Sequence, residues 1–121
     1  RKLIRDSDAL LISSPEYNGS VTGVLKNALD WASRKDKHTT RPLEGKAVAI
    51  IGAGGGSGTK NSQKHLQSIL NHTKSTIIDN TYVGIEHTWK YVNNNHIDDN
   101  NIIEKLTKVA QDIYKYCLNE K

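Results

Sequence analysis

Two stretches carry residue types that can hold a ligand. Ser13-Ser14-Pro15-Glu16-Tyr17-Asn18-Gly19-Ser20 follows one short apolar run, and Gly52-Ala53-Gly54-Gly55-Gly56-Ser57-Gly58 follows another. Proline stops a strand, and Asn-Gly turns the chain. Glycines let backbone N–H groups approach a planar or anionic ligand, and a helix beginning after the turn adds the positive end of its dipole. A flexible strand-to-helix turn is the plainer alternative for the glycine run. No acid–base set accompanies either stretch. Glu16 lacks an evident partner, and Ser13, Ser14, Ser20 and Ser57 lack the Gly-x-Ser-x-Gly elbow of a hydrolase. The stretches point to a cofactor crevice whose donors belong to the backbone.

Two named glycine motifs fail. A P-loop needs Gly-x4-Gly-Lys-Ser/Thr, but Gly58-Thr59-Lys60 places its lysine one position late. The dinucleotide fingerprint Gly-x-Gly-x-x-Gly meets Ser57 or Thr59 where its third glycine belongs. Of the five histidines no two are spaced i,i+4, and Cys117 is the one cysteine, so a zinc site is not expected.

The elements that must position these loops follow from periodicity. Residues 9–14 are apolar without alternation, as in a strand covered on both faces. Residues 22–34 repeat Val21, Val24, Leu25, Ala28, Leu29 and Ala32 on one helical face, with Thr22 or Ser20 to cap the start. Residues 35–46 form a polar connection. Ala47-Val48-Ala49-Ile50-Ile51 is a second buried strand, followed by a helix from about Thr59 to His72 with Leu66, Ile69 and Leu70 inward. Thr76-Ile77-Ile78 starts a third strand, extended by Tyr82-Val83 after a turn at Asp79-Asn80. Asn93-Asn94-Asn95 and Asp98-Asp99-Asn100-Asn101 are exposed turn chemistry. The last helix spans 101–118, with Asn101 and Glu104 as a capping box and Cys117 on its inner stripe. Residues 1–6 read as the end of a helix.

The chain has 121 residues, one domain or part of one, and carries a net charge of +4. Its cations are spread among acids, and the basic segment from Arg34 to Arg41 reads as a solvated loop, with a phosphate-binding patch as the less favoured alternative. Nucleic acid is therefore not expected as a partner. No stretch approaches the roughly 20 apolar residues of a membrane span, and no signal peptide is evident. A single cysteine agrees with a cytoplasmic location. The alternation of strands and helices implies parallel strands joined by right-handed crossovers.

Ser14-Pro15-Glu16-Tyr17-Asn18-Gly19-Ser20, followed by Gly23-Val24-Leu25-Lys26-Asn27-Ala28-Leu29-Asp30-Trp31, resembles the signature of the NADPH-dependent FMN reductase family. Gly45-Lys46-Ala47-Val48-Ala49-Ile50-Ile51-Gly52-Ala53 with the glycines and helix after it is similar to that family's next block. The resemblance covers roughly residues 8–70. It implies a flavodoxin-like α/β fold, a three-layer αβα sandwich around a parallel sheet. Strands 3-4-5 of the order 2-1-3-4-5 would lie here, making residues 1–121 the C-terminal portion of a single domain.

It also implies that Pro15, Glu16, Tyr17, Asn18, Gly19 and Ser20 line an FMN site. Gly52, Ala53, Gly54, Gly55 and Gly56 would face the pyrimidine edge of the ring, where backbone donors stabilise developing charge. The flavin carries the redox chemistry, so no catalytic side chain is required. The implied activity is NAD(P)H oxidation through FMN to a small-molecule electron acceptor: a quinone, azo compound, metal oxyanion or free flavin. A flavodoxin-type electron carrier and a non-catalytic fragment that no longer binds FMN are the alternatives. The family's first strand and phosphate-binding loop have no counterpart, which at about 30 residues per βαβ unit amounts to roughly 60 residues. The segment alone is then expected to bind FMN poorly. Family members are commonly homodimers or homotetramers, with the helix at 22–34 and Trp31 as the candidate contact.

Overall fold

Ala47, Val48, Ala49 and Ile50 are all buried, and this uninterrupted burial identifies the central strand. In the computed structural model, which describes residues 1–35, 40–79 and 81–119, β2 (Ala47–Ala53) lies between β1 (Ala9–Ser13) on one side and β3 (Thr76–Ile77) with β4 (Val83–Ile85) on the other. Every pairing in this sheet is parallel. Ala9 faces Ala47 and Ser13 faces Ile51, while Ile51, Gly52 and Ala53 face Val83, Gly84 and Ile85. The third strand is thus interrupted, as the turn residues near Asp79 predict. Asp36, Lys37, His38 and Thr39 of the basic segment, and Asn80 of that turn, lie outside the described residues.

Helices cover both faces of β2, which is why it reads as a continuous apolar run. On one face α2 (Gly23–Ala32) and α3 (Lys60–His72) enclose Leu29, Leu43, Val48, Ile50, Leu66 and Leu70. Each such aliphatic side chain contributes about 1.5–3 kcal/mol on burial. On the other face α4 (Asn100–Asn119) sets Val109, Leu106 and Ile113 against Ala49, Val83 and Ile85. That cover stops short of β1, which therefore departs from the expectation of a strand covered on both faces: Leu11 is 53% exposed, and Ala9, Leu10 and Ile12 are only half-buried. The short α1 (Lys2–Asp6) precedes β1. Lys46 donates to Arg5 O at 3.3 Å and also to Ser7 O, tying the end of α1 to the start of β2. No helix among the described residues is long and apolar enough to cross a membrane.

Two further expectations need correction. Val24 is 83% exposed and Ala28 is also exposed, so the inner face of α2 narrows to Leu25, Leu29 and Ala32, with Val21 preceding it. Helical period locates an apolar face but cannot say which neighbour covers it. The second concerns α4. Ile102 N–H donates to Asp99 Oδ1 at 2.9 Å, so Asp99 caps the helix and Asn101 already lies inside it. Asp99→Ala is expected to cost about 1 kcal/mol of stability, whereas Asn101→Ala should stay within about 0.5 kcal/mol. Urea unfolding of the two variants checks the order. Thr22 caps α2 as expected, accepting from Leu25 N–H at 3.1 Å.

The exposed segment before α4 is more regular than its asparagines suggest. β5 (Val92–Asn93) and β6 (His96–Ile97) form a hairpin turned by Asn94 and Asn95, both at positive φ. Asparagine tolerates that conformation better than most residues, and the paired left-handed turn matches the twist of the strands.

Candidate functional site

Parallel pairing of β1 with β2 brings both sequence-selected loops to one end of the sheet. Ser14 N–H donates to Ile51 O at 3.2 Å, continuing the ladder to the point where the first loop leaves it. Asn18 and Gly19 both have positive φ, and Tyr17 and Ser20 exchange backbone hydrogen bonds at 3.1 Å. This is the geometry of a type I′ turn, for which Asn-Gly is favoured. Tyr17 is 63% exposed at its base, and Asn18 is exposed at its tip.

Glu16 binds the first loop to the second. Its carboxylate accepts from Asn61 N–H at 2.9 Å, Ser62 N–H at 3.0 Å and Ser57 Oγ at 3.1 Å. Ser62 Oγ donates to Pro15 O at 3.2 Å. Glu16 therefore satisfies the open N-terminus of α3 from outside that helix, a place where an anion is favoured. The Ser62 N–H, then the Ser57 hydroxyl and Asn61, hold its carboxyl below the ordinary 4.5 despite partial desolvation. A depressed carboxyl contributes stability that is complete above its unfolded value and is lost as pH falls through the folded one. Wild type is thus expected to lose stability below pH 4.5 more steeply than Glu16→Gln. Parallel slopes in urea titrations across that range would contradict this role.

The glycines of the second loop serve different purposes. A Cβ on Gly52 would lie 2.1 Å from Thr59 Oγ1 and 2.7 Å from Ser14 O, so only glycine lets the two loops close. Gly54 N–H is committed to Ile85 O at 3.0 Å. Gly55, Gly56 and Ser57 are exposed, and their N–H groups donate to no acceptor among the described residues. A Cβ on Gly55 would meet nothing within 4 Å. Ala53 is half-buried at the end of β2.

A third loop, which the sequence did not single out, follows β4 and docks on the glycines. His87 N–H donates to Gly55 O and Thr88 N–H to Gly54 O, both at 3.1 Å, and Thr88 Oγ1 donates to Gly54 O at 2.7 Å. The His87 ring stands edge-on to Trp89 at 5.1 Å, with Cε1 3.5 Å from where a Gly56 Cβ would be. His65 also enters the site, sharing a 2.9 Å hydrogen bond from Nδ1 with Ser20 Oγ. Beneath the loops, the buried Gln63 donates to Thr59 Oγ1 and Val83 O, each at 2.8 Å, and fastens α3 to β4. Only strand order joins these residues, so no local motif could have revealed them.

An open parallel α/β sheet with convergent loops beyond the carboxyl ends of its strands is a flavodoxin-like arrangement, and such sheets bind ligands at that end. The chain belongs to the NADPH-dependent FMN reductase family, whose match spans residues 1–90. A 2-hydroxy-1,4-benzoquinone reductase from a Burkholderia species is 38% identical over 96% of this chain and 57% of its own length. An NAD(P)H-dependent FMN reductase of Pseudomonas aeruginosa is 52% identical over 58% of this chain and 37% of its own. The structure of FerB, a flavoenzyme NAD(P)H:(acceptor) oxidoreductase from Paracoccus denitrificans, matches with a TM-score of 0.76 at 30% identity, covering 93% of this chain and 62% of that one. The chain thus spans roughly a third to three fifths of the length of these relatives.

Proposed function

We propose that the protein containing this chain is an FMN-dependent NAD(P)H oxidoreductase that passes hydride to FMN and on to a small-molecule acceptor. The observation that carries this reading is the row of open N–H groups at Gly55, Gly56 and Ser57, in a loop that the Ser57–Glu16 hydrogen bond holds beside the loop of the Asn18–Gly19 turn. Such a row fits the carbonyl-rich edge of a flavin without any charged side chain. When bound, FMN supplies a ring that accepts a hydride and releases it again.

The chain's own residues do the rest. Gly55, Gly56 and Ser57 supply fixed donors where negative charge develops, with little reorganisation. Pro15, Tyr17, Asn18, Gly19 and Ser20 form the opposing wall, with the exposed Tyr17 ring as its apolar part. Glu16 holds that wall to α3 and is a positioning residue. Gly52 and Ala53 set the spacing between the loops, and Gly54 anchors the second loop to β4. The quinone reductase among the relatives supports a quinone as the acceptor.

Residues 1–121 form the C-terminal portion of one domain in this reading, and the uncovered Leu11 on β1 supports it. A homodimer or homotetramer is supported by α2, where Val24, Ala28 and Trp31 make an exposed apolar stripe. Its location is the cytoplasm, in keeping with the free thiol of Cys117. Anaerobic addition of NADPH to the full-length protein with FMN is expected to bleach the flavin absorbance. A flavin that binds but does not bleach would assign an electron carrier instead. A monomer by light scattering would remove the oligomer.

A further inference from the structure

Between the C-terminal halves of α2 and α3 lies a cleft of about 740 Å³ whose charged lining is Lys26, Asp30, Arg34, Lys35, Arg41 and His72. The helices run back from the loops toward the start of the next strand, so the cleft sits at the opposite end of the sheet from the candidate flavin site. Asp30 is its one carboxylate among the described residues, and both its oxygens hold Lys26 Nζ at 2.8 Å. Glu44, whose carboxyl feels Arg41 and Lys35, is held by Lys74 at 3.1 Å. Among the described residues, Arg34, Lys35 and Arg41 therefore have no carboxylate within ion-pair distance.

Cations near helix C-termini commonly complement the helix dipole. Two such termini amount to roughly one negative charge in total, which leaves most of this cluster uncompensated. A concave site focuses that potential in a way a flat solvated face does not. The cleft falls within the size range of small-molecule sites, about 300–1,000 Å³. A second cavity of about 520 Å³ shares Lys26, Ser68 and Ile69 with it and reaches Ser20 and His65 beside the first loop.

We propose that this cleft binds a phosphate dianion carried on a small molecule. Arginine suits that ligand because its planar fork donates to two phosphate oxygens at once. The phosphate has two possible sources. It can be the 2′-phosphate of NADPH, reaching along the groove from the flavin end, a source that rests on the oxidoreductase reading. It can equally belong to a separate phosphorylated metabolite.

Calorimetric titration of inorganic pyrophosphate into the full-length protein tests the site without flavin or turnover. One pyrophosphate per chain is expected to bind. The double variant Arg34→Ala/Arg41→Ala should weaken binding about tenfold or more, given the strength of hydrogen bonds to charged groups. Ser68→Glu places a carboxylate in the cleft at an exposed position whose hydroxyl makes no hydrogen bond among the described residues, and should abolish binding with an unchanged melting temperature. No binding, or equal binding by all three proteins, overturns the proposal. In the same variants a KM rising for NADPH but not NADH assigns the phosphate to the dinucleotide. Unchanged KM values with pyrophosphate binding lost assign it to a separate metabolite. A protein that oxidises neither dinucleotide yet binds pyrophosphate overturns the oxidoreductase reading alone.

Discussion

Gly52→Ala is expected to destabilise the protein by about 3 kcal/mol, at the upper end of what overpacking usually costs. The new methyl group would meet Thr59 Oγ1 at 2.1 Å and the Ser14 carbonyl at 2.7 Å. Rotating Thr59 relieves the first clash but gives up the bond from Gln63 Nε2 at 2.8 Å. The second clash is with backbone and can be relieved only by moving the start of the first loop. Flavin affinity should fall together with stability, because Ser14 leads directly into the 15–20 wall. Gly55→Ala is the control: its Cβ meets nothing within 4 Å, so its stability should stay within about 0.5 kcal/mol of wild type. Urea unfolding of both variants measures the difference. Equal stability would show that the loops are not closed against each other as described.

Gln63→Glu carries the second large effect. Gln63 is 1% exposed, and its amide N–H groups donate to Thr59 Oγ1 and Val83 O. Its Oε1 is buried with no hydrogen-bond partner among the described residues. A carboxylate there would face the Val83 carbonyl, with the Thr59 hydroxyl the one described neighbour in hydrogen-bond reach able to donate to it, and a buried charge without a countercharge costs about 3–5 kcal/mol. Protonated, the same side chain can again donate to Val83 O. The folded-state pKa of the new carboxyl is thus raised above an unfolded value of about 4.3. The protonated form is favoured by folding, so stability is retained below that value and falls as pH rises toward the folded pKa. This is opposite in sign to Glu16, whose contribution is lost as pH falls. Gln63→Met should cost less, about 0.5–1.5 kcal/mol for each hydrogen bond lost, because it buries no charge. Unfolding midpoints for Gln63→Glu that do not change with pH would refute this account.

Much of the frame was legible in residue patterns, for reasons that are local. The unbroken apolar run in β2 reports helices on both faces. Asn18-Gly19 reports a turn that few other pairs can adopt. Leu66, Ile69 and Leu70 report the inner side of α3. Each depends on residues within one or two turns of chain, where steric and solvation preferences act directly. The placement of both loops at one end of the sheet followed from parallel strands, and the register of Ser13 with Ile51 bears it out.

Other features were set only by contacts between distant segments. Glu16 caps a helix that begins more than forty residues later, whereas capping residues are normally sought beside their own helix. Asp99 and Asn101 are both competent caps, and the structure places Asp99 at the cap with Asn101 inside the helix. Val24 and Leu29 belong to one apolar face by period, yet of the two only Leu29 is buried among the described residues. Within the glycine run, Gly52 and Gly55 differ in nothing but surroundings. Composition and spacing determined the strands, the helices and the kind of ligand the turns can hold. Tertiary structure alone decided which glycine must stay small, which amides remain open and which carboxylate joins the loops. Those outcomes depend on distances between segments that the chain brings together only on folding.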